Sequence, residues 1–367
     1  MSTTVERATE HQPRARLALT AALRTGPSHA YLFRGPRGAG KRAAARALAA
    51  EILAAAASDA EDARRRAMLD PSPHPDLVWI APRGAQHLVE DVRERVIRAS
   101  AYRPFEGGKR VFVVESAESM RDESQNALLK TLEEPPAFVH LILLASEPEA
   151  LLETVASRCQ QVDFAPLPST VVEAELAAAG AEPDEAAAAA RLAGGDPELG
   201  RLLLAPAGRA LRADVERAVA AVLAGEVASA PWRALLDRAE TAGQEAEAET
   251  REALEEEAEA GFRRSARDLA DEARRAARRR RTETLDLGLE LIGFWLRDLA
   301  AVGSGAEEAA HNRDRLPELR RETASLDPAL SRRAAELVTK TRRSLELNVS
   351  EELALEALFF RLEELLA

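Results

Sequence analysis

The sequence predicts an α/β domain built on a parallel sheet, followed by a region that is helical throughout. Three observations lead to this prediction. Strand-like and helix-like segments alternate through residue 165, strand-like segments stop after residue 164, and aromatic residues make up only 4% of a chain rich in Ala and Leu. Alternating strands and helices are typical of a three-layer α/β domain, and Ala and Leu favour helices.

The strand predictions rest on short segments that are apolar on both faces, as strands buried in a parallel sheet are. These segments are rich in Val, Ile, Leu and Phe, and they lie at residues 30–33, 76–80, 110–115, 140–145 and 161–164. Between them lie helix-like stretches, of which residues 40–57 and 121–134 are the clearest.

Beyond the last predicted strand, only helices are expected. Residues 170–204 have the pattern of short helices separated by Gly and Pro, and the helical pattern continues from residue 207. The final stretch, residues 345–366, is strongly amphipathic, which predicts packing in a terminal bundle. We therefore predict three domains, an α/β domain, a small helical domain and an all-α domain, over residues 1–166, 167–206 and 207–367.

Composition limits the classes of function. The 367 residues carry a formal net charge of -12, whereas a protein that grips DNA by itself is usually basic, so any nucleic-acid role should be shared with partners. The single cysteine, Cys159, excludes an internal disulfide and a zinc site built from several cysteines. No apolar run approaches the roughly 20 residues of a membrane span, and the first residues lack the apolar core of a secretory signal. We expect a soluble cytoplasmic protein with no membrane contact.

Two charged stretches lie in the helical region. Residues 240–259 are strongly acidic, and residues 263–281 end in a run of arginines. One interpretation is long solvated helices whose opposite charges pair within the bundle, and the other is a dedicated DNA-binding patch. The first is favoured because aromatic residues for base stacking are absent from these stretches.

A glycine-rich segment after the first predicted strand nearly matches a phosphate-binding loop, whose pattern is G-x-x-x-x-G-K followed by Ser or Thr. Gly35, Gly40 and Lys41 are in register, with Gly38 between them, but Arg42 stands where the hydroxyl would help to hold Mg²⁺. Such a loop turns backbone N–H groups inward at a helix N-terminus, and the lysine reaches the phosphates. The alternative is a glycine turn that binds nothing.

The second element of such a site is usually Asp-Glu at the end of a neighbouring strand, where Asp supports Mg²⁺ and Glu polarises the attacking water. Here the strand ends in Glu115 and Ser116. Glu115 could still assist a metal, but Ser116 cannot act as the general base. Both changes fall on the hydrolytic machinery, which predicts nucleotide binding without turnover, or no binding.

Three further residues have a structural and a functional interpretation. Arg158 is either a surface salt-bridge residue or an arginine finger, whose planar guanidinium neutralises charge on a phosphate in an adjacent subunit. Cys159 is better explained as a small buried residue than as a nucleophile, since no histidine lies near it in the sequence. His74, before a strand, is more often structural than a ligand.

These motifs together resemble the clamp-loader branch of the AAA+ ATPases, and within it the delta-prime subunits of bacterial DNA polymerase III. The resemblance covers residues 29–165 well and the tail more weakly, and it rests on "HAYLFRGPRGAGK", "HPDLVWI", "RPFEGGKRVFVVESAESM", "QNALLKTLEEPP", "SRCQQVDF" and "NVSEELALEALFFRL". It implies a RecA-like AAA+ domain, a helical lid and a helical collar that assembles five subunits into a ring.

The resemblance also implies roles for individual residues. Arg158 would be the trans-acting arginine finger. The degenerate nucleotide site would comprise Gly35, Gly38, Gly40, Lys41, Glu115, Ser146 as a polar sensor after the fourth strand, and Arg201 near the lid's sensor arginine. Many family motors carry four zinc-binding cysteines before the second strand, and this chain has none there, so no zinc is expected and local helix packing must replace the zinc module.

On this basis we expect a ring member that does not itself hydrolyse ATP and that binds ATP or ADP weakly or not at all. It would be part of a DNA-directed DNA polymerase complex, with ATPase activity in neighbouring subunits. Its partners would be gamma/tau-like motors and delta in a pentameric ring, the sliding clamp, and primed DNA contacted through the assembly. The alternatives are a hydrolysing motor subunit, against which Arg42 and Ser116 argue, and an unrelated P-loop kinase or DNA-repair ATPase, which would not explain Ser-Arg-Cys at residues 157–159.

Overall fold

The computed structural model describes residues 4–82, 87–259, 266–345 and 349–366. They fall into two units, Met1–Leu167 and Pro168–Ala367. The predicted division of the second unit into a lid and a collar stays a prediction.

A five-stranded sheet forms the centre of the first unit, and every pair of neighbouring strands is parallel. The order across the sheet is β2-β3-β4-β1-β5. The strands are β1 (Ala30–Arg34), β2 (Leu77–Ile80), β3 (Arg110–Val114), β4 (Val139–Ala145) and β5 (Gln160–Asp163). All five coincide with predicted strands. β1, β3 and β4 are apolar and buried as a covered parallel sheet requires, whereas β5, at the edge of the sheet, buries only Val162.

Helices connect these strands. They are α1 (Thr4–Ala8), α2 (Pro13–Thr25), α3 (Lys41–Ala54), α4 (Ala60–Met68), α5 (Val89–Val92) continued by a π-helix (Arg93–Arg98), α6 (Asp122–Glu133) and α7 (Glu153–Ala156), with 3₁₀ turns at Ala117–Ser119 and Pro148–Ala150.

An apolar core lies on each face of the sheet. Tyr31 and Phe33 of β1 point into a core with Leu48 of α3, whereas the alternate residue Leu32 belongs to the other core, with Leu128 of α6. Successive side chains of a strand point to opposite faces, so a strand covered on both sides must be apolar throughout. The predicted three-layer α/β fold with a parallel sheet is confirmed.

The segment between α3 and β2 folds around α4. The Asp59 carboxylate accepts a hydrogen bond from the Asp62 N–H at 3.0 Å and caps the helix, while Ala63 and Ala67 are buried. Arg64 pairs with Glu51 of α3 at 3.0 Å. Helix packing and a cap therefore hold this segment.

Helices joined by turns and loops make up the described residues of the second unit. Its helices are α8 (Ser169–Ala178), α9 (Pro183–Leu192), α10 (Pro197–Leu204), α11 (Pro206–Leu223), α12 (Arg233–Glu259), α13 (Ala266–Gly303), α14 (Leu316–Glu322), α15 (Pro328–Leu345) and α16 (Glu351–Leu366), with 3₁₀ turns at Val227–Ser229, Glu307–Ala309, Arg313–Arg315 and Thr323–Ser325. No described helix of the chain has the length and apolar character needed to span a membrane.

The two charged stretches lie on α12 and α13, which pack side by side in opposite directions. A Cβ atom added to Gly243 would lie 3.0 Å from the Ala277 carbonyl oxygen, and Arg281 pairs with Glu240 at 3.0 Å. This ion pair between the helices agrees with the predicted charge pairing, whereas residues 263–265 of the basic stretch lie outside the described residues.

The terminal amphipathic helix packs as predicted. Leu355, Leu358 and Phe359 of α16 are buried, and the Phe359 ring lies 5.8 Å from the Trp232 ring. The first residue of the matching motif, Asn348, lies outside the described part of the chain.

Candidate nucleotide site and arginine finger

The glycine loop joins β1 to α3 and has the backbone shape of a phosphate loop. Gly38 and Gly40 have φ angles of 69° and 86°, a left-handed conformation that favours glycine. Gly35 has no room for a side chain, since an added Cβ atom would lie 2.1 Å from the Phe164 carbonyl oxygen. Gly40 directly precedes α3, so the first N–H groups of that helix face the loop.

Lys41 is buried at the start of α3 and is held by its own loop. Its ammonium group donates hydrogen bonds to the carbonyl oxygens of Gly35 and Pro36, the latter at 2.7 Å, and to the Ser146 hydroxyl at 3.3 Å. Ser146 follows β4, whose carboxyl end lies at the same edge of the sheet as that of β1. The fold therefore brings Lys41 and the predicted sensor residue together.

Glu115, at the carboxyl end of β3, is engaged by two side chains. The Arg42 Nε atom lies 2.7 Å from Glu115 Oε1, and Trp79 Nε1 donates to the same oxygen at 2.5 Å. The Arg42 Nη2 atom also lies 3.2 Å from an Asp70 carboxylate oxygen. The two positions at which the motifs depart from a hydrolysing site, 42 and 115–116, are thus in direct contact.

A second arginine completes this arrangement. The Arg46 guanidinium lies 4.5 Å from the Trp79 ring centre and pairs with Asp70 at 2.9 Å, and the Arg42 guanidinium lies 5.8 Å from the same ring. We refer to Arg42, Arg46, Asp70, Trp79 and Glu115 as the arginine–tryptophan cluster. Motif analysis missed Arg46, Asp70 and Trp79, although the spacing of the two arginines, one helical turn apart on α3, predicts that they share a face.

Mg²⁺, which hydrolysing members of this fold use, does not fit these residues. Its hydroxyl ligand is replaced by Arg42, its carboxylate ligand Glu115 is occupied by that arginine, and Ser116 carries no charge. Among the described residues, no group of three or more His, Cys, Asp or Glu side chains is placed to hold a metal ion.

Ser116 and Glu118 shape the loop after β3. Ser116 has a left-handed backbone, with φ 47° and ψ 50°, and it starts the 3₁₀ turn at Ala117–Ser119. The turn places Glu118 so that its Oε1 atom accepts a hydrogen bond from the Ser146 N–H at 3.1 Å. Glu118 is a second carboxylate at this edge that motif analysis missed, and its observed contact fixes the position of Ser146.

Arg158 lies between α7 and β5, and both interpretations of it have a structural counterpart. Its Nη2 atom lies 2.6 Å from Glu133 Oε1, and its Nη1 atom donates to the Thr154 carbonyl oxygen at 2.8 Å. Glu133 ends α6, so the "QNALLKTLEEPP" and "SRC" motifs meet in this ion pair. The Arg158 side chain is 36% exposed, which leaves it accessible to a phosphate from outside the domain.

Cys159 and His74 are buried residues without a catalytic arrangement. Burial raises the pKa of the Cys159 thiol to about 12, which disfavours the thiolate that a nucleophile requires. Burial also lowers the pKa of His74, whose Nδ1 atom accepts a hydrogen bond from the Asp76 N–H at 3.2 Å. The structural interpretation of both residues agrees with their surroundings.

Arg201 lies on α10 of the second unit. It is exposed, and its Nη1 atom lies 3.7 Å from a Glu175 carboxylate oxygen. Its role as a lid arginine stays a prediction.

The first unit is similar to known proteins. The model of the family described as "DNA polymerase III, delta subunit" matches residues 12–168. Residues 12–168 are therefore similar to this family. The matched region ends next to the boundary of the first unit, and the resemblance to delta-prime subunits inferred from the motifs is confirmed by the curated relatives.

Two of these relatives are DNA polymerase III subunits delta'. The one from Pseudomonas aeruginosa is 36% identical over 216 residues, covering 56% of this chain and 64% of its own length. The one from Bacillus subtilis is 33% identical over 154 residues, covering 41% of this chain and 46% of its own length. The chain thus spans less than two thirds of the length of the curated relatives it matches.

The same region is also similar to gamma/tau subunits of DNA polymerase III. Subunit gamma/tau from Mycobacterium tuberculosis is 37% identical over 154 residues, covering 41% of this chain and 26% of its own length. Sequence identity therefore does not separate the two kinds of subunit. Among solved structures, a gamma subunit-related protein from Thermotoga maritima matches at 14% identity and a TM-score of 0.42, over 96% of this chain and 99% of its own.

Proposed function

We propose that this chain is a non-hydrolysing, delta-prime-type subunit of a bacterial clamp loader, and that it supplies Arg158 to a neighbouring subunit's ATP. The observation that supports the first part is the contact between Arg42 and Glu115, because it fills the place where a motor subunit holds its metal. The matches to both delta' and gamma/tau relatives agree with membership of such an assembly.

The position of Arg158 supports a role in trans. β1 and β5 are parallel, with Tyr31 opposite Gln160, and the nucleotide loop follows β1 whereas Arg158 precedes β5. Arg158 and the loop therefore lie at opposite edges of the sheet, separated by the length of a strand, roughly 15 Å. An arginine so placed does not serve its own loop, and its planar guanidinium is suited to two phosphate oxygens of a neighbouring subunit.

The proposed setting is a pentameric ring with gamma/tau-like motors and delta, which opens the sliding clamp and places it on primed DNA in the cytoplasm. In the neighbour's site, Arg158 would neutralise charge that develops on the transferring phosphoryl group. The net charge of -12 favours DNA contact through the assembly rather than by this subunit alone.

The test is a ring reconstituted with wild-type or variant subunit, followed by clamp- and DNA-stimulated ATP hydrolysis and by clamp loading. Arg158→Ala should leave the subunit incorporated in the ring, while the rate of ATP hydrolysis falls. An arginine finger contributes roughly 10³–10⁵ in rate at a single GTPase site. The loss in the ring should be smaller, because only one of several motors loses its finger. Arg158→Lys should rescue only in part, because an ammonium lacks the planar fork.

A matched control is Arg93→Ala. Arg93 pairs with Glu123 at 2.8 Å on the surface of the same domain, so its loss removes a similar ion pair away from the proposed finger. A wild-type rate of hydrolysis in an intact Arg158→Ala ring would contradict the proposed role. Arg158 would then contribute only its surface ion pair, worth about 0.2–1 kcal/mol of stability.

A further inference from the structure

We infer that Arg42 is a built-in cation that replaces the divalent metal of this site, and that the site takes a nucleoside di- or triphosphate without metal. This inference does not depend on the trans role of Arg158. It concerns which form of the nucleotide this chain itself binds.

The Arg42 guanidinium lies against the carboxylate that would hold a metal in a hydrolysing site. In a hydrolysing loop, the hydroxyl after the lysine and the carboxylate of the neighbouring strand hold the metal between them. Here the side chains from these two positions touch, with Arg42 Nε 2.7 Å from Glu115 Oε1. The positive charge beside Glu115 is therefore supplied by an arginine of the chain itself instead of a bound metal ion.

The positive and negative charges of the arginine–tryptophan cluster are equal in number. Two arginines face two carboxylates, since Asp70 contacts both Arg42, at 3.2 Å, and Arg46, at 2.9 Å, while Glu115 contacts Arg42. A metal ion entering here would have to displace a guanidinium from Glu115, whose side chain is only 19% exposed. It would also add two positive charges to a set that is already balanced.

The Trp79 side chain holds the cluster together. Trp79 donates a hydrogen bond to the same Glu115 oxygen that Arg42 contacts, and its ring lies beneath both guanidinium groups. Cation–π contacts of this kind hold a guanidinium over the ring face by electrostatic attraction. The Arg42 side chain is 53% exposed, and its inner side is held by Glu115, Asp70 and the Trp79 ring.

What remains for a ligand is the loop itself. Lys41 and the N–H groups at the start of α3 form an anion site without any metal. A metal-free nucleotide carries more negative charge than its Mg²⁺ complex and is attracted more strongly by these groups. Added Mg²⁺, which converts free nucleotide to the complex, should therefore weaken binding rather than strengthen it.

The experiment is titration of the full-length chain with ATP and with ADP, once in EDTA and once in excess Mg²⁺, by calorimetry. For wild-type protein we expect the affinity in EDTA to equal or exceed the affinity in Mg²⁺. Tighter binding in Mg²⁺, or no detectable binding in either buffer, would overturn the inference. This measurement needs no variant to fold.

The Arg42→Thr variant tests the replacement directly. It restores the hydroxyl and releases Glu115, so Mg²⁺ should now raise its nucleotide affinity by about tenfold or more, equivalent to about 1.4 kcal/mol. Mn²⁺ serves as a paramagnetic probe: in the presence of ADP the variant should bind it and the wild type should not. Arg65→Thr, which removes an exposed arginine of α4 and the same charge, is the control and should behave as wild type. A folded Arg42→Thr protein, checked by circular dichroism, that gains no metal dependence would contradict the inference.

Discussion

At the residue scale, Arg42 and Arg158 place the same kind of side chain in two different surroundings. Both are paired with a glutamate at close range, 2.7 Å for Arg42 and 2.6 Å for Arg158. Glu133, the partner of Arg158, is 50% exposed, so this pair contributes little to stability in water. Glu115, the partner of Arg42, is only 19% exposed and shares its oxygen with Trp79, although the Arg42 side chain itself is 53% exposed.

Cys159 provides a prediction at the same scale. Its thiol is buried and its pKa is raised from 9.0 to about 12, so at pH 8 only about 10⁻⁴ of the native protein should carry a thiolate. Labelling by a maleimide or an aromatic disulfide should therefore be very slow in native buffer and rapid in urea. A native chain that is labelled as fast as the unfolded one would show that Cys159 is accessible, contrary to its buried position.

At the element scale, the shape of the glycine loop is set by contacts with distant segments. The buried Gln12 side chain donates to the Ala39 carbonyl oxygen at 3.0 Å and to the Ala165 carbonyl oxygen at 2.6 Å, and it accepts from the Ala165 N–H at 3.0 Å. The loop after β1 is thereby tied to the segment after β5. The same junction brings the Phe164 carbonyl against Gly35.

Two alanine substitutions in this loop should separate backbone strain from steric clash. Gly35 and Gly40 both have positive φ angles, 146° and 86°, but an added Cβ atom meets nothing within 4 Å at Gly40 and lies 2.1 Å from the Phe164 carbonyl oxygen at Gly35. Gly40→Ala should lower the free energy of unfolding by about 1–2 kcal/mol, the strain of a left-handed alanine. Gly35→Ala should lower it clearly more. Urea denaturation followed by circular dichroism measures both, and equal losses would contradict the close approach of Phe164.

At the scale of the whole molecule, the buried ionisable groups make stability depend on pH. His74, His87 and His140 are buried in the first unit, and burial is the largest cause that lowers the pKa of each. Each of these imidazoles therefore resists protonation as long as the unit stays folded.

Acid should therefore destabilise this unit. The native state keeps these histidines neutral, whereas the unfolded chain binds protons as the pH falls below about 6.5, so the unfolded state is favoured from there downward. The unfolding free energy should fall between about pH 6.5 and 5 by up to about 1.4 kcal/mol per pH unit for each histidine. Fluorescence of Trp79, in a chain with Trp232 and Trp295 replaced by Phe, reports on the first unit during urea titrations at each pH.

His140→Asn offers the matching control. The His140 Nδ1 atom lies 2.8 Å from the Ser28 carbonyl oxygen, a contact that an amide donor can replace, while the titrating group is lost. The variant should show a shallower decline in stability below about pH 6.5. An unchanged decline would remove His140 from the acid sensitivity of this unit.

The local sequence determined much of this protein. Strands buried on both faces must be apolar throughout, so their positions and the parallel sheet were predictable. The backbone requirements of the loop were likewise readable at Gly35, Gly38 and Gly40, and the missing hydroxyl at Arg42 was visible without a structure. The helical character of the second unit followed from composition and amphipathic pattern.

Only the tertiary structure decided which side chains meet. The contact of Arg42 with Glu115 requires the α3 start to face the end of β3, and that of Arg158 with Glu133 requires the end of α6 to face the residues before β5. Gln12 likewise meets Ala165 across 153 residues. Strand order and the angle of each helix on the sheet fix these pairs, and both result from packing over the whole domain. Propensity and spacing act over only a few residues, so they identify the groups but not their partners.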